Sequence, residues 1–168
     1  MPDNKRTTIG WREWVRLDAL GIDRIKAKVD TGARTSALHA FEIKSFDEAG
    51  KTRVEFKIHP TQRDEQNVIV CTADVLDQRD VIASGGHKAK RWVIVSEVSL
   101  GLHTWPIELT LTSRDNMRFR MLLGRTAMAG RFQVDPSQSY LIGKKPKRFN
   151  ISDNKILTTP HLDSTPSD

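Results

Sequence analysis

Short segments in which apolar and polar residues alternate recur through most of the chain. The clearest one is the string RVEFKI at residues 53–58, where every second residue is charged. Such a period of two places one set of side chains on a buried sheet face and the other set in water. The pattern predicts strands at residues 23–29, 36–46, 52–58, 68–75, 91–98, 105–112 and 117–123.

Helical signals are sparse by comparison. Residues 11–17 fit one or two amphipathic turns, and residues 125–130 fit a short helix that ends at Gly130. Neither segment carries a large hydrophobic face. We therefore expect a mostly β fold with a single short helix of consequence.

The length of 168 residues suits one domain, and no internal repeat is apparent. From Lys144 onward the chain consists mainly of Lys, Ser, Thr, Asp and Pro. This composition cannot bury enough apolar surface to offset the entropy of ordering. We predict a domain at residues 1–143 and a flexible basic and polar tail at residues 144–168.

The composition excludes several classes of protein. Hydrophobic residues make up 38% of the chain and charged residues 29%, and the apolar runs are too short to span a membrane. The first twenty residues do not resemble a secretory signal. A lone cysteine, Cys71, excludes a disulfide framework and favours a reducing cytoplasm. It ends an apolar run, so we interpret it as a small buried hydrophobe.

A formal net charge of +6 predicts a surface that attracts nucleic acid, an acidic peptide or an acidic partner protein. The four tryptophans do not decide between these kinds of partner. They are most simply core or interface anchors, but aromatic rings among basic residues can also stack on bases. They are Trp11, Trp14, Trp92 and Trp105.

The candidate chemistry lies in the string Asp30-Thr31-Gly32-Ala33, which follows a predicted strand. A carboxylate at the end of a strand is held by rigid backbone, and a glycine lets the main chain approach closely. The hydroxyl of Thr31 can donate to neighbouring backbone. These are features of an acid–base site, although Asp and Gly also form ordinary turns.

A second motif, the string LLGR at residues 122–125, follows a predicted strand and precedes the short helix. Together the two motifs resemble those of the retropepsin family of aspartic proteases. The longer string VDTGARTSALHA is similar to a bacterial, RimB-like branch labelled ATP-dependent zinc proteases, which includes companions of RimK-type glutamate ligases. The resemblance extends from about Trp11 to Ile142.

This resemblance implies a retropepsin-like closed barrel or sandwich and an aspartic-type endopeptidase. Asp30 would activate water, with Thr31 and Gly32 completing the catalytic motif, while Ala33, Arg34 and Arg125 would contact substrate. The mechanism needs two carboxylates that share a proton, and the chain has one such motif. The family pattern therefore implies a homodimer with two copies of Asp30 at its twofold axis.

One departure from the family concerns charge. Viral retropepsins commonly carry an aspartate after Asp-Thr-Gly-Ala, whereas this chain has Arg34. Two arginines, Arg34 and Arg125, would form a positive site for carboxylate side chains. We therefore expect an acidic substrate, such as a glutamate-rich or glutamylated protein tail. The resemblance to companions of RimK-type ligases implies such a ligase as partner and, with it, a role in ribosomal protein modification. The alternative is that each arginine pairs with a carboxylate of the scaffold.

No cofactor is expected. The chain lacks HExxH, lacks a glycine-rich phosphate loop, and has histidines only on separated segments, so neither zinc nor ATP has a recognisable site. His39 lies close to the motif but stays outside our catalytic set. The basic segment at residues 83–91 is a flap over substrate or, as we favour, a plain hairpin loop.

Two alternatives to catalysis remain open at this point. One is a catalytically silent retropepsin-like dimer that regulates a partner enzyme. The other is an RNA-binding or ribosome-binding β module that uses its basic surface. Both predict partner binding that is indifferent to Asp30→Asn.

Overall fold

A computed structural model describes residues 5–61, 66–82, 86–113 and 118–144 of the protein. This part of the chain is built almost entirely of strands. One short α-helix and one turn of 3-10 helix, Asp18–Leu20, interrupt them within those ranges. The elements are β1 (Thr7–Ile9), β2 (Arg12–Leu17), β3 (Ile22–Asp30), β4 (Ser36–His39), β5 (Phe41–Glu48), β6 (Lys51–Ile58), β7 (Ile69–Ile82), β8 (Lys88–Leu100), β9 (His103–Thr112), β10 (Met121–Gly124), α1 (Arg125–Met128) and β11 (Phe132–Val134).

Six strands close into a barrel in the order β2, β3, β10, β4, β9, β8. Closure comes from a contact between β2 and β8, where Arg16 lies opposite Ser99. Side chains that point inward, such as Ile25, Leu38 and Leu109, are fully buried. The predicted mostly β closed barrel is confirmed.

The sheet continues beyond the barrel from β8 through β7 and β6 to the edge strand β5. Phe56 and Val54 on β6 are fully buried, as the alternation at residues 53–58 predicts. A separate parallel pair joins β1 to β11, so the two ends of the domain lie side by side.

The helix predicted at residues 11–17 is wrong, because Arg12–Leu17 forms the barrel strand β2. Its buried residues, Glu13, Val15 and Leu17, alternate strictly with residues that are partly or fully exposed. A period of two fits a half-buried strand, and pairing of five of its residues with β3 outweighs the helical propensity. The inward position of Glu13 made this alternation hard to recognise in the sequence, because a charged residue is normally expected to face solvent.

Other strand boundaries also differ from prediction. The single strand expected at residues 36–46 divides at Ala40, because β4 runs parallel to β9 while β5 turns away to pair with β6. The hairpin strands β7 and β8 are longer than predicted, since their polar outer ends still pair through Ile82 and Lys88. The helix expected at residues 125–130 is present as α1, and Gly130 follows it with φ +81°.

The predicted flexible tail, apart from Lys144, lies outside the described residues. Residues 83–85 of the predicted basic loop are also outside them, but β7 and β8 on either side form an antiparallel hairpin. None of the helices among the described residues has the length and apolar character of a membrane-spanning segment.

Candidate active site

Asp30 is the last residue of β3, and its carboxylate is held by the turn that follows. Its Oδ1 atom accepts hydrogen bonds from the amides of Gly32 at 3.0 Å and Ala33 at 3.2 Å. A Cβ at position 32 would lie 3.3 Å from the same oxygen, so glycine leaves the carboxylate room. Within the described residues, Oδ2 forms no hydrogen bond, and that oxygen remains available to water or a second carboxylate.

Gly124 lies directly beside Asp30, because β10 runs parallel to β3 with these two residues in register. Its amide donates to the buried Oγ of Ser36 at 2.9 Å. A Cβ on Gly124 would lie 2.5 Å from the carbonyl carbon and oxygen of Thr35, far inside contact distance. Only glycine therefore fits where the two predicted motifs meet.

Backbone hydrogen bonds also join the Asp30 loop to the start of α1. The amide of Arg125 donates to the carbonyl of Ala33 at 2.7 Å, and the amide of Thr126 donates to the carbonyl of Arg34 at 3.1 Å. The Thr126 hydroxyl donates to the same Arg34 carbonyl at 2.8 Å. The two motifs, some ninety residues apart in sequence, thus form one rigid unit around the carboxylate.

The side chains of the two arginines differ in what they contact. Arg125 donates from Nη1 to the carbonyl of Thr31 at 3.0 Å and so supports the turn that follows Asp30. The exposed side chain of Arg34 takes part in no ion pair or hydrogen bond formed among the described residues. Among the described residues, neither arginine forms an ion pair with a scaffold carboxylate, so the charge of each is not balanced by such a partner.

The outer face of the barrel surrounds Asp30 with residues that sequence reasoning did not select. Lys28 precedes Asp30 by two residues on the same strand face and lies opposite Leu122 of β10, which in turn lies opposite Ala37 of β4. Lys28 is exposed, and Leu122 and Ala37 are partly exposed. A charged and an apolar group thus adjoin the carboxylate on one accessible surface.

Ser36 and Thr126 were also missed as supports of the site. Ser36 lies within the string VDTGARTSALHA and Thr126 directly follows LLGR, but nothing in the local pattern shows that the Ser36 hydroxyl faces a glycine 88 residues away. His39, left out of the catalytic set, is 3% exposed at the other end of β4, and its amide donates to the carbonyl of Arg120.

Cys71 is buried as predicted, at 2% exposure, and its thiol donates to the carbonyl of Leu20. Burial raises the pKa of the Cys71 thiol to about 11, which disfavours the nucleophilic thiolate. Among the described residues, no group of three or more His, Cys, Asp and Glu side chains is arranged to hold a metal ion.

Comparison with protein families gives one match that covers most of the chain. A family described as RimB-like, the retropepsin-like aspartic endopeptidase RimB, matches residues 8–145. The matched region contains the whole barrel together with Asp30, Gly124 and the turn that follows Asp30.

Curated relatives carry a different kind of name. A probable alpha-L-glutamate ligase of Shewanella halifaxensis (strain HAW-EB4) is 47% identical over 145 residues, and one of Desulfotalea psychrophila (strain LSv54 / DSM 12343) is 42% identical over 145 residues. Each alignment covers 86% of this chain but 31% of the relative. The chain therefore spans about a third of the length of these relatives.

A solved structure has the same fold. A Legionella pneumophila protein of unknown function superposes with a TM-score of 0.70 and 24% sequence identity. The alignment covers 82% of this chain and 99% of that one. This likeness shows that the two chains share a fold.

Proposed function

Because the chain belongs to the RimB-like family of retropepsin-like aspartic endopeptidases, we propose that it hydrolyses peptide bonds with Asp30 as the water-activating carboxylate. The observation that carries this proposal is the mutual support of the two motifs. Gly124 lies in register with Asp30, and two amides orient its Oδ1 atom. Such rigid support is what an acid–base group requires.

The reaction needs a second carboxylate, which a second copy of Asp30 supplies in a twofold symmetric dimer. Two carboxyl groups at close range share one proton, because both cannot ionise easily. The ionised one takes a proton from water as the water oxygen attacks the peptide carbonyl carbon, and the protonated one donates to the carbonyl oxygen. The C–N bond then breaks as the nitrogen takes up a proton, which releases an acid and an amine.

Charge near the carboxylate favours an acidic substrate. Arg34 is exposed beside the turn, Arg125 is fixed to it, and Lys28 adjoins Asp30 on the outer face. Arginine side chains can bind carboxylates in a bidentate manner. The proposed substrate is therefore a glutamate-rich protein tail, and the ligase names of the curated relatives fit a product of glutamate ligation.

The test compares the full chain with its Asp30→Asn variant on a peptide that ends in a run of glutamates, with products read by mass spectrometry. Asp80→Asn is the matched control, since Asp80 is an exposed aspartate on β7. We expect cleavage by the wild type and by Asp80→Asn only. Sedimentation equilibrium of the same samples should show a dimer. Cleavage that survives Asp30→Asn contradicts the proposal.

A second candidate is regulation of a glutamate ligase without cleavage. It is favoured by one observation, namely that a domain 47% identical to this chain makes up 31% of a protein named as a ligase. In this case the chain would change the ligation rate of a partner enzyme, and Asp30→Asn would not abolish that effect. Ligation assays with both forms separate the two functions.

A further inference from the structure

A row of basic side chains leads away from Asp30 along the outer face of the barrel. From Arg24 to Asp30 the residues of β3 alternate, so Ile25, Ala27 and Val29 face the core while the residues between them face outward. The outward set consists of Arg24, Lys26, Lys28 and Asp30. On the neighbouring strand Arg12 lies directly opposite Lys28. We call Arg12, Arg24, Lys26 and Lys28 the basic track.

Aromatic rings hold two of these cations in place. The Arg12 guanidinium lies 4.5 Å from the Trp11 ring centroid and 4.9 Å from that of Tyr140. The Lys26 ammonium lies 5.3 Å from the Trp14 ring, which itself stacks on Tyr140. Stacked cations are attracted to ring faces, and their fixed positions reduce the entropy lost when a ligand binds.

The ring of Tyr140 is itself fixed by an uncommon backbone conformation. Its φ of +55° is rare for a large side chain, and its amide donates to the carbonyl of Arg12 at 2.9 Å. The Arg12 side chain donates from Nε to the hydroxyl of Ser139 at 3.1 Å. The Tyr140 segment therefore stabilises the track from the side of β2.

The far end of the track opens into a small cavity of about 190 Å³. Arg24, Arg16, Lys144 and Trp14 contribute to its lining, together with Asp23. Arg16 forms an ion pair with Asp18 at 3.7 Å, whereas Arg12, Arg24 and Lys28 form none with the carboxylates of the described residues. Positive charge therefore predominates along the whole track.

The spacing of the track matches that of an extended peptide. Same-face residues of a strand repeat about every 7 Å, and alternate side chains of an extended peptide repeat at the same distance. Arg24 lies six residues before Asp30, or about 20 Å along the strand. A peptide with glutamate at every position presents a carboxylate to each cation in turn.

We propose that the basic track binds the acidic chain that flanks the cleaved bond, so that the protein recognises runs of about six acidic residues rather than single ones. This inference rests on the proposed function for its substrate class. Binding should therefore strengthen with the number of glutamates until the run reaches Arg24 and then stay constant.

The test measures binding alone, in the full-length Asp30→Asn chain, by fluorescence anisotropy with labelled peptides of two, four, six and eight glutamates. We expect affinity to rise up to about six residues and then to level off. Arg24→Glu should weaken binding of the eight-residue peptide by about fivefold to tenfold and leave the two-residue peptide unaffected. Lys28→Glu should weaken binding of both peptides.

The matched control is Lys44→Glu, which makes the same charge change on the exposed edge strand β5. It should alter affinity by less than about twofold, since surface charges at a distance are screened by salt. Circular dichroism and thermal melting confirm that each variant is folded. Affinity that is independent of peptide length, or an equal loss of affinity in Lys44→Glu and Arg24→Glu, would contradict peptide binding by the basic track.

Two further outcomes separate this inference from the proposed function. If the wild type cleaves a glutamate tail but Arg24→Glu binds peptides of all lengths normally, the proposed role of the basic track is wrong and the proposed peptidase activity is supported. If nothing is cleaved but binding follows the predicted length dependence, the basic track binds acidic peptides and the proposed peptidase activity is wrong. Tighter binding of a single-stranded RNA than of the eight-residue peptide at the same salt would contradict the peptide ligand.

Discussion

The Glu13 carboxylate accepts a 2.6 Å hydrogen bond from the amide of Gly143, 130 residues further along the chain. Three more amides donate to the same fully buried carboxylate, those of Gly10, Leu141 and Ile142. The last described segment is thereby fixed against β2. A Cβ on Gly143 would lie 2.2 Å from the carbonyl oxygen of Trp14, so only glycine permits this close approach.

Removing that carboxylate should destabilise the domain strongly. Glu13→Ala leaves four amides without their acceptor, and each buried unsatisfied group costs about 1–3 kcal/mol, so we expect a loss of at least about 3 kcal/mol. Glu13→Gln should lower the free energy of unfolding by less, because the amide oxygen of glutamine can still accept hydrogen bonds. It should not be neutral, because the NH2 group of glutamine would face backbone amides that are themselves donors. Urea unfolding monitored by tryptophan fluorescence measures both. Glu97→Gln, an exposed residue of β8, is the control and should be near neutral.

Glu13 also shows where sequence reasoning stops. The alternation at residues 53–58 is local, so β6 was predictable, whereas the partners that make a buried glutamate acceptable at position 13 lie at the opposite end of the chain. The same holds at the candidate site. The two motifs were recognisable as strings, but the register that places Gly124 beside Asp30 and against Ser36 depends on tertiary pairing of β3, β10 and β4.

Ser36 should contribute to both stability and turnover. Ser36→Ala removes the acceptor for the buried Gly124 amide, which costs about 1–3 kcal/mol when left unsatisfied. Because Gly124 lies in register with Asp30, the same change should lower kcat on an acidic peptide. Chemical unfolding and steady-state kinetics test the two effects. Ser45→Ala, on the exposed edge strand β5, should change neither quantity.

Substitutions of Arg34 and Arg125 should affect different kinetic constants. Arg34 has an exposed side chain free to bind substrate, so Arg34→Gln should raise KM for a glutamate-rich peptide with little change in kcat. Arg125 supports the Thr31 carbonyl, so Arg125→Gln should lower kcat instead, and Arg125→Lys should restore part of it. Identical effects of both substitutions on KM alone would show that Arg125 has no positioning role.

Cys71 makes stability depend on alkaline pH. Burial raises the pKa of its thiol to about 11, above the value of about 8.5 expected in the unfolded chain. The folded state then holds the proton more tightly, so this contribution is fully present below about pH 8.5 and is lost as the pH rises toward the folded pKa. Cys71→Ala lacks this titration.

The free energy of unfolding should therefore fall more steeply for the wild type than for Cys71→Ala between about pH 8.5 and 11. A thiol reagent at pH 8 offers a second measurement, because a residue 2% exposed with a raised pKa reacts only after the chain opens. Labelling should accelerate with added urea in step with unfolding. Rapid labelling in native buffer would contradict the buried position of the thiol against the Leu20 carbonyl.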